Sequence, residues 1–310
     1  MKKIGKYYSG TLRMLSYLKD SFITYHTRPR VAKDVKTQPV LSDINKRVAI
    51  VIQGKLMSKY NFTLESVRLY KRLYPDSKII VSTWSNEPSE QIVALKKEGV
   101  EVILNDIPNP LTGFCNNNLQ RISSINGILK AKELGVEYVL KCRTDQRFYE
   151  TDIFNFLIRL QIIFPLRLSC EAKERIITFS LGTFSTRMYN WSDMFTFGTL
   201  NDVERYYSCP NDDSEHGKKL EFSDTKELCM HRPGEIYFTS HYIESLGFDL
   251  MWTFEDSDYY MRELAIVIDS DMIDLFWPKY NRRENVWRRY DDFHLKPVYF
   301  KDWLCMQQNI

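Results

Sequence analysis

Val48-Ala49-Ile50-Val51-Ile52-Gln53-Gly54 is a run of five apolar residues closed by a polar residue and a glycine. A half-exposed strand alternates apolar and polar side chains, whereas an unbroken apolar run marks a strand buried on both faces, as in a parallel sheet. The residues that follow supply the crossovers. Phe62–Tyr74 places Leu64, Val67, Tyr70, Leu73 and Tyr74 at helical spacing and stops at Pro75. Lys78–Trp84 predicts a second strand, Ser89–Glu98 a helix closed by Gly99, and Val100–Leu104 a third strand ending in Asn105-Asp106. Leu119–Leu134 predicts a further helix closed by Gly135, and Glu137–Cys142 a fourth strand. Strand and helix alternating in this way predict a doubly wound, mixed α/β sheet of Rossmann-like type, with helices on both faces and right-handed crossovers. Ligands of such sheets sit at the carboxyl ends of the strands, which directs attention to Gln53, Gly54, Ser85, Asp106 and the residues after Cys142.

The second half is less regular. Ile176–Phe184 and Met194–Gly198 read as strands, and Pro210–Arg232 as a long charged loop. Gly234–Leu246 and Glu255–Ala265 read as helices, and Ile266–Ile268 as a returning strand. The expected organisation is a basic N-terminal arm over 1–46, a catalytic domain over 47–275 and an irregular basic/aromatic segment over 276–310. That last segment holds Arg282, Arg283, Arg288 and Arg289 among Trp277, Tyr280, Trp287, Tyr290 and Trp303.

Of 310 residues, 44% are apolar and 27% charged, which excludes disordered and fibrous classes. The net charge of +3 conceals an asymmetry, because residues 1–46 carry +7 and the rest −4. In the arm, Tyr7, Leu12, Leu15, Leu18 and Ile23 could stripe a basic amphipathic helix able to lie on an anionic membrane surface; a packing arm is the plainer reading. No run is long enough to span a membrane, and the N-terminus lacks the apolar core of a secretory signal. The six cysteines are scattered without a C-x-x-C pair, which points to a reduced, cytoplasmic setting. The five histidines show no metal spacing; His231 beside Arg232 could approach a phosphate. An acidic main body argues against nucleic acid as a partner.

The densest chemistry is Lys141-Cys142-Arg143-Thr144-Asp145-Gln146-Arg147, directly after the fourth strand. Asp145 is placed to hold a divalent cation, which typically uses one or two carboxylates together with phosphate oxygens. Arg143 and Arg147 could contact a diphosphate directly, since guanidinium pairs with phosphate in bidentate fashion. The competing reading is an ion-paired surface turn.

A strand of this kind followed by an acidic turn resembles the nucleotide-sugar glycosyltransferases of GT-A fold, whose turn carries an Asp-x-Asp motif. Here position 143 is Arg, and only Asp145 matches. More specifically, the segments VAIVIQGKL (48–56), TLESVRLYKRLYPDSKIIVSTW (63–84), NLQRISSINGILKAKELGVEYVLKCRTDQRFY (118–149) and SDMFTFG (192–198) resemble the WavE-type lipopolysaccharide synthesis family. The resemblance implies sugar transfer in surface-polysaccharide assembly, of lipopolysaccharide or capsule. The donor would be a nucleotide sugar and the acceptor a glycan or lipid-linked glycan. It places the nucleotide base at Gln53 and Asp106, and the phosphates near Asn118, Arg121 and Ser123. A helix N-terminus attracts anions, although Asn116–Asn118 could equally serve as caps. Mg²⁺ or Mn²⁺ on Asp145 is compatible with this arrangement without being required by it. Three carboxylates compete to serve the acceptor hydroxyl. Asp193 opens SDMFTFG, and Asp256 lies in LGFDLMWTFEDSDYYMRE (246–263), which looks like the base-bearing stretch of inverting GT-A enzymes. Glu235, at a helix start where it could simply complement the dipole, ranks behind both. A nucleotidyl- or sugar-phosphate transferase of the same pathway, or a non-catalytic binding partner, are the rival readings. The setting implied is cytoplasmic, extending to a peripheral place on the inner face of the cytoplasmic membrane.

Overall fold

A computed structural model of the chain describes residues 14, 27–108, 113–214, 222–278 and 296–308. The apolar run Val48–Ile52 forms β1 (Val48–Gln53), buried at every position. It is followed by α1 (Phe62–Leu73), β2 (Lys78–Trp84), α2 (Ser89–Lys97), β3 (Glu101–Asn105), α3 (Asn117–Glu133) and β4 (Tyr138–Arg143). β1 pairs in parallel with β2 and β4, and β2 with β3. Gly127 lets α3 lie directly on β1, since a Cβ there would meet Val51 Cγ1 at 2.4 Å.

Beyond β4 come β5 (Arg147–Phe148), α4 (Ile153–Ile163), β6 (Ile176–Phe179), β7 (Thr196–Thr199), α5 (Leu200–Tyr207), α6 (Thr225–Met230), α7 (Glu235–Ser245), α8 (Phe254–Leu264), β8 (Ala265–Ile268), β9 (Leu275–Phe276) and α9 (Phe300–Gln308). The main sheet has seven strands in the order β3-β2-β1-β4-β7-β6-β8. β7 runs antiparallel to both β4 and β6, and β8 returns parallel to β6. The molecule is thus a mixed, Rossmann-like α/β fold. β5 and β9 form a separate two-stranded ribbon beside the end of β4.

Several expectations for the second half are corrected. Ile176–Phe184 shortens to four strand residues because a turn follows at Gly182 (φ +95°). The long charged loop contains α6, whose first turn is capped when Asp224 accepts from the Glu227 amide at 2.9 Å. The C-terminal end is helical rather than irregular: Trp303 is fully buried, and Gln307 accepts from the buried Arg175 at 3.1 Å. Trp277, at 4% exposed, is likewise a core residue and not a surface aromatic. The four-arginine cluster, with Tyr280, Trp287 and Tyr290, lies outside the described residues, as does the N-terminal apolar stripe. Residues 28–35 lie against the body: the Ala32 amide donates to buried Glu65 at 2.7 Å, and Arg72 donates to the Ala32 carbonyl at 2.6 Å. Among the described residues no helix is long and apolar enough to cross a membrane.

Candidate active site

The carboxyl ends of β1 and β4 are stitched together by backbone. Gln53 O accepts from the Thr144 amide at 3.0 Å, and the Gly54 amide donates to Ser82 O at 3.0 Å, with Gly54 at φ +112°. The loop after β1 is then pinned at both ends. Thr144 Oγ1 donates to Lys55 O at 2.5 Å, Glu87 accepts from the Leu56 amide at 2.8 Å, and Thr63 Oγ1 accepts from the Met57 amide at 2.9 Å. Tyr60 and Asn61 sit at φ +59° and +51° in this loop. Such left-handed conformations in non-glycine residues persist only where their surroundings enforce them, and they cluster at ligand sites.

This loop walls a cavity of about 780 Å³, whose other walls are Arg28, Arg30, the Arg143–Asp145 turn and the β5/β9 ribbon. Arg28 donates to Asp274 at 2.8 Å, and Arg143 Nε to Asp145 at 3.0 Å. Arg30 lies over the Tyr60 ring at 4.2 Å. Among the described residues, Arg30, Lys55 and Lys59 have no carboxylate partner, so the cavity is basic. Among the described residues its one lining carboxylate, Asp145, is already paired with Arg143, and the remaining charged lining is cationic, which favours an anion over a divalent cation. Among the described residues no group of three or more potential metal ligands is gathered anywhere.

On the other side of Arg143 is a buried polar cluster. Lys141 points from the centre of the sheet, fully buried, and its Nζ donates to the backbone carbonyl of Asp193 at 2.5 Å. Tyr207 donates to the same carbonyl at 2.9 Å. The Asp193 carboxylate is fully buried, and neither oxygen has a hydrogen-bond partner among the described atoms. Burial pushes the Lys141 ammonium down to about 8 against the opposing pull of Asp193. Burial, and then repulsion from Asp193, push the Glu235 carboxyl up to about 7, while Arg187 and Arg143 oppose the rise. Glu235 is only part-buried by surface. It opens α7 directly after Arg232 and Gly234, at φ +50° and +54°, and Gly234 faces Cys115, itself at φ +54°. Two chain segments therefore hold unusual backbone beside this carboxylate.

The anticipated site residues separate into three groups. Arg143, Asp145 and Gly54 line or support the cavity; Asp193 and Glu235 form the buried pair. The others are engaged elsewhere. Gln53, 2% exposed, accepts from Ser123 Oγ at 2.8 Å inside the sheet–helix interface. Asp106 accepts from Ser85 Oγ at 2.9 Å. The Asp212 carboxylate sits beside the N-terminus of α3. Asp212 accepts from the Phe114 amide and from Asn117 Nδ2, each at 2.8 Å. Asn118 holds the Asp212 backbone through two 2.8 Å bonds, and Arg121 is bonded to Asn211. Arg147 turns inward, 2% exposed, and donates to Ser66 Oγ at 2.9 Å and to the carbonyls of Arg30 and Phe62 at 2.8 Å. The Asp256 carboxylate accepts from Tyr189 at 2.6 Å and from the Met251 amide at 3.2 Å, while its backbone amide donates to Thr253, the cap of α8. His231 packs on Phe222 at 5.0 Å between ring centres.

Lys55 and Lys59 were open to discovery in the sequence, since GKLMSKY follows the first strand's end. Arg28 and Arg30 carried no such signal, because only the folded chain brings them to β4. Arg187 likewise carried none, being a single cation in an irregular segment, and Lys141 belongs to the charged motif but received no role of its own.

A family model described as WavE lipopolysaccharide synthesis matches residues 48–232. No curated protein matches at a significant level. Among solved structures the chain is similar to a cytidylyltransferase from Leptospira borgpetersenii serovar Hardjo-bovis, at 16% identity over 53% of this chain and 65% of that one, with a TM-score of 0.35. It is also similar to a 4-diphosphocytidyl-2C-methyl-D-erythritolsynthase from Anaerococcus prevotii, at 12% identity over 73% and 87% of the two chains, with a TM-score of 0.37. The chain spans slightly less than two thirds of the Leptospira protein. At these scores neither likeness carries an argument about activity.

Proposed function

Because the chain belongs to the WavE lipopolysaccharide synthesis family, we propose that it transfers a glycosyl group from a nucleotide-sugar donor to a hydroxyl of a lipopolysaccharide or capsular glycan, with Glu235 as the base. The observation that carries this reading is a part-buried carboxyl whose proton affinity is raised to about 7 by burial and by Asp193. A sugar hydroxyl must lose its proton as it attacks, and a base is most effective when its pKa lies near the working pH. A phosphate acceptor, as in nucleotidyl transfer, is ionised already and needs no such group.

In the proposed step Glu235 removes the hydroxyl proton as that oxygen bonds to the anomeric carbon. The bond from that carbon to the diphosphate oxygen breaks, and the electron pair leaves with the nucleoside diphosphate. Asp193 does not touch substrate; it raises the proton affinity of Glu235 and balances Lys141. Fixed cations at Arg143 and Arg187 stabilise the charge that develops on the departing side. The acceptor is a glycan or lipid-linked glycan, and the enzyme works at the cytoplasmic membrane surface.

Product analysis tests this. Incubation with a panel of nucleotide sugars and lipopolysaccharide-core acceptors releases a nucleoside diphosphate together with extended glycan. Release of inorganic pyrophosphate from a nucleoside triphosphate would replace this reading with nucleotidyl transfer.

A further inference from the structure

The cavity beside Arg143 takes its charge from residues outside the motif at 141–147. Arg30 comes from the segment before the first strand, and Lys55 and Lys59 from the loop after it. All three are exposed at the cavity, and none has a carboxylate partner among the described residues. Arg28 and Arg143 add charge that Asp274 and Asp145 already balance. The unbalanced charge is thus about three, close to that of a diphosphate, and the volume of about 780 Å³ falls within the range of small-ligand pockets. Phe62, the first residue of α1, lines the same cavity, so the positive end of a 12-residue helix adds to the field.

We propose that this cavity binds the diphosphate of a nucleoside diphosphate through Arg30, Lys55 and Lys59, which take the place of a divalent cation. The assignment deepens the glycosyl-transfer reading and rests on it for the identity of the donor. The walls are fixed in advance. Arg147 joins the carbonyls of Arg30 and Phe62 with 2.8 Å bonds, and Tyr149 donates to Pro29 O at 2.9 Å. Arg147 is therefore a positioning residue, spanning from the pre-strand segment to the start of α1. The Tyr60 ring gathers two of these cations, with Arg30 over it at 4.2 Å and Lys59 Nζ at 5.4 Å.

The test is calorimetric titration of the full chain, in excess chelator, with inorganic pyrophosphate, then with UDP, GDP and ADP, and with a short-chain polyprenyl diphosphate. Pyrophosphate binds without added metal, more weakly as salt rises, and at least one nucleoside diphosphate binds more tightly than either pyrophosphate or the polyprenyl compound. Arg30→Ala with Lys59→Ala weakens binding at least tenfold with an unchanged circular dichroism spectrum; should that protein misfold, Lys55→Ala alone, on an exposed loop residue, gives a several-fold loss. Binding that requires Mg²⁺, that survives these substitutions, or that favours the polyprenyl diphosphate overturns the proposal. Glu235→Gln separates the two claims. If it binds pyrophosphate normally yet still transfers sugar, the base assignment fails and the cavity stands; if the cavity variants bind normally while Glu235→Gln is inactive, the cavity fails and the base stands.

Discussion

On one side of Arg143 the walls carry exposed cations on loops held by backbone hydrogen bonds. On the other, Lys141 and Asp193 are fully buried beside the part-buried Glu235, and burial displaces the proton affinities of Lys141 and Glu235. The cavity keeps its charges solvated, and they act by sign and number. The buried cluster holds fewer charges but acts through their mutual coupling, since an unscreened carboxylate shifts its neighbour strongly. The first arrangement suits holding an anion. The second suits moving a proton.

The largest effect expected from breaking this division is at Glu235. Glu235→Gln removes the base while keeping the shape, and lowers kcat by about 10²–10⁴-fold, the usual contribution of general-base help. The variant's affinity for pyrophosphate stays within twofold of wild type, which calorimetry checks. A drop in both would mean that the two regions are not separate in function.

Loss of cavity charge has the opposite signature. Arg30→Ala with Lys59→Ala raises the donor KM about tenfold or more and leaves kcat at saturation nearly unchanged, because these groups hold ground state and transition state alike. Steady-state kinetics at several donor concentrations separates the two parameters.

The buried cluster also has a stability signature that the cavity lacks. The folded state holds the Glu235 proton up to about 7, whereas the ordinary value is 4.5. Between these values the folded protein binds more protons than the unfolded one, so this group's contribution is full below 4.5 and is lost as pH rises through 7. Lys141 acts in the complementary window. Its folded value is near 8 against 10.5, so the unfolded state binds more protons there and stability from this group rises with pH. Urea unfolding of wild type and Glu235→Gln across pH 4.5 to 7 shows a downward slope in wild type that is reduced in the variant.

The smallest effect on function, and a control for all of these, is at Gly127. Gly127→Ala drives a methyl into Val51 on β1 and destabilises by about 1–3 kcal/mol, the usual range for overpacking. Thermal denaturation registers the change. Both regions respond together, since each hangs on β1 and β4.

The parallel half of the sheet was legible because its strands are continuous apolar runs and its helices stop at Pro75, Gly99 and Gly135. Those signals are local. The reversal of β7, the β5/β9 ribbon and the C-terminal helix depend on partners far along the chain, so neither periodicity nor turn residues declared them. Tertiary pairing also decided the site. Arg147 reads as a phosphate ligand by position, but its guanidinium is satisfied by carbonyls 85 and 117 residues away. Asn118 and Arg121 read as anion contacts until Asp212 and Asn211 are brought beside them. Glu235 ranked third among the carboxylates because a helix-start acid is common. What distinguishes it is burial beside Asp193, which no local pattern expresses.

The central claim is that Asp193 tunes Glu235 to take a proton near neutral pH, and the pH dependence of kcat/KM in wild type and Asp193→Asn tests it most directly. Wild-type activity rises with pH on an acid limb near 7, and in Asp193→Asn that limb moves to lower pH as the neighbouring negative charge disappears. An acid limb that lies in the ordinary carboxylate range in wild type, or that does not move in the variant, would contradict the account.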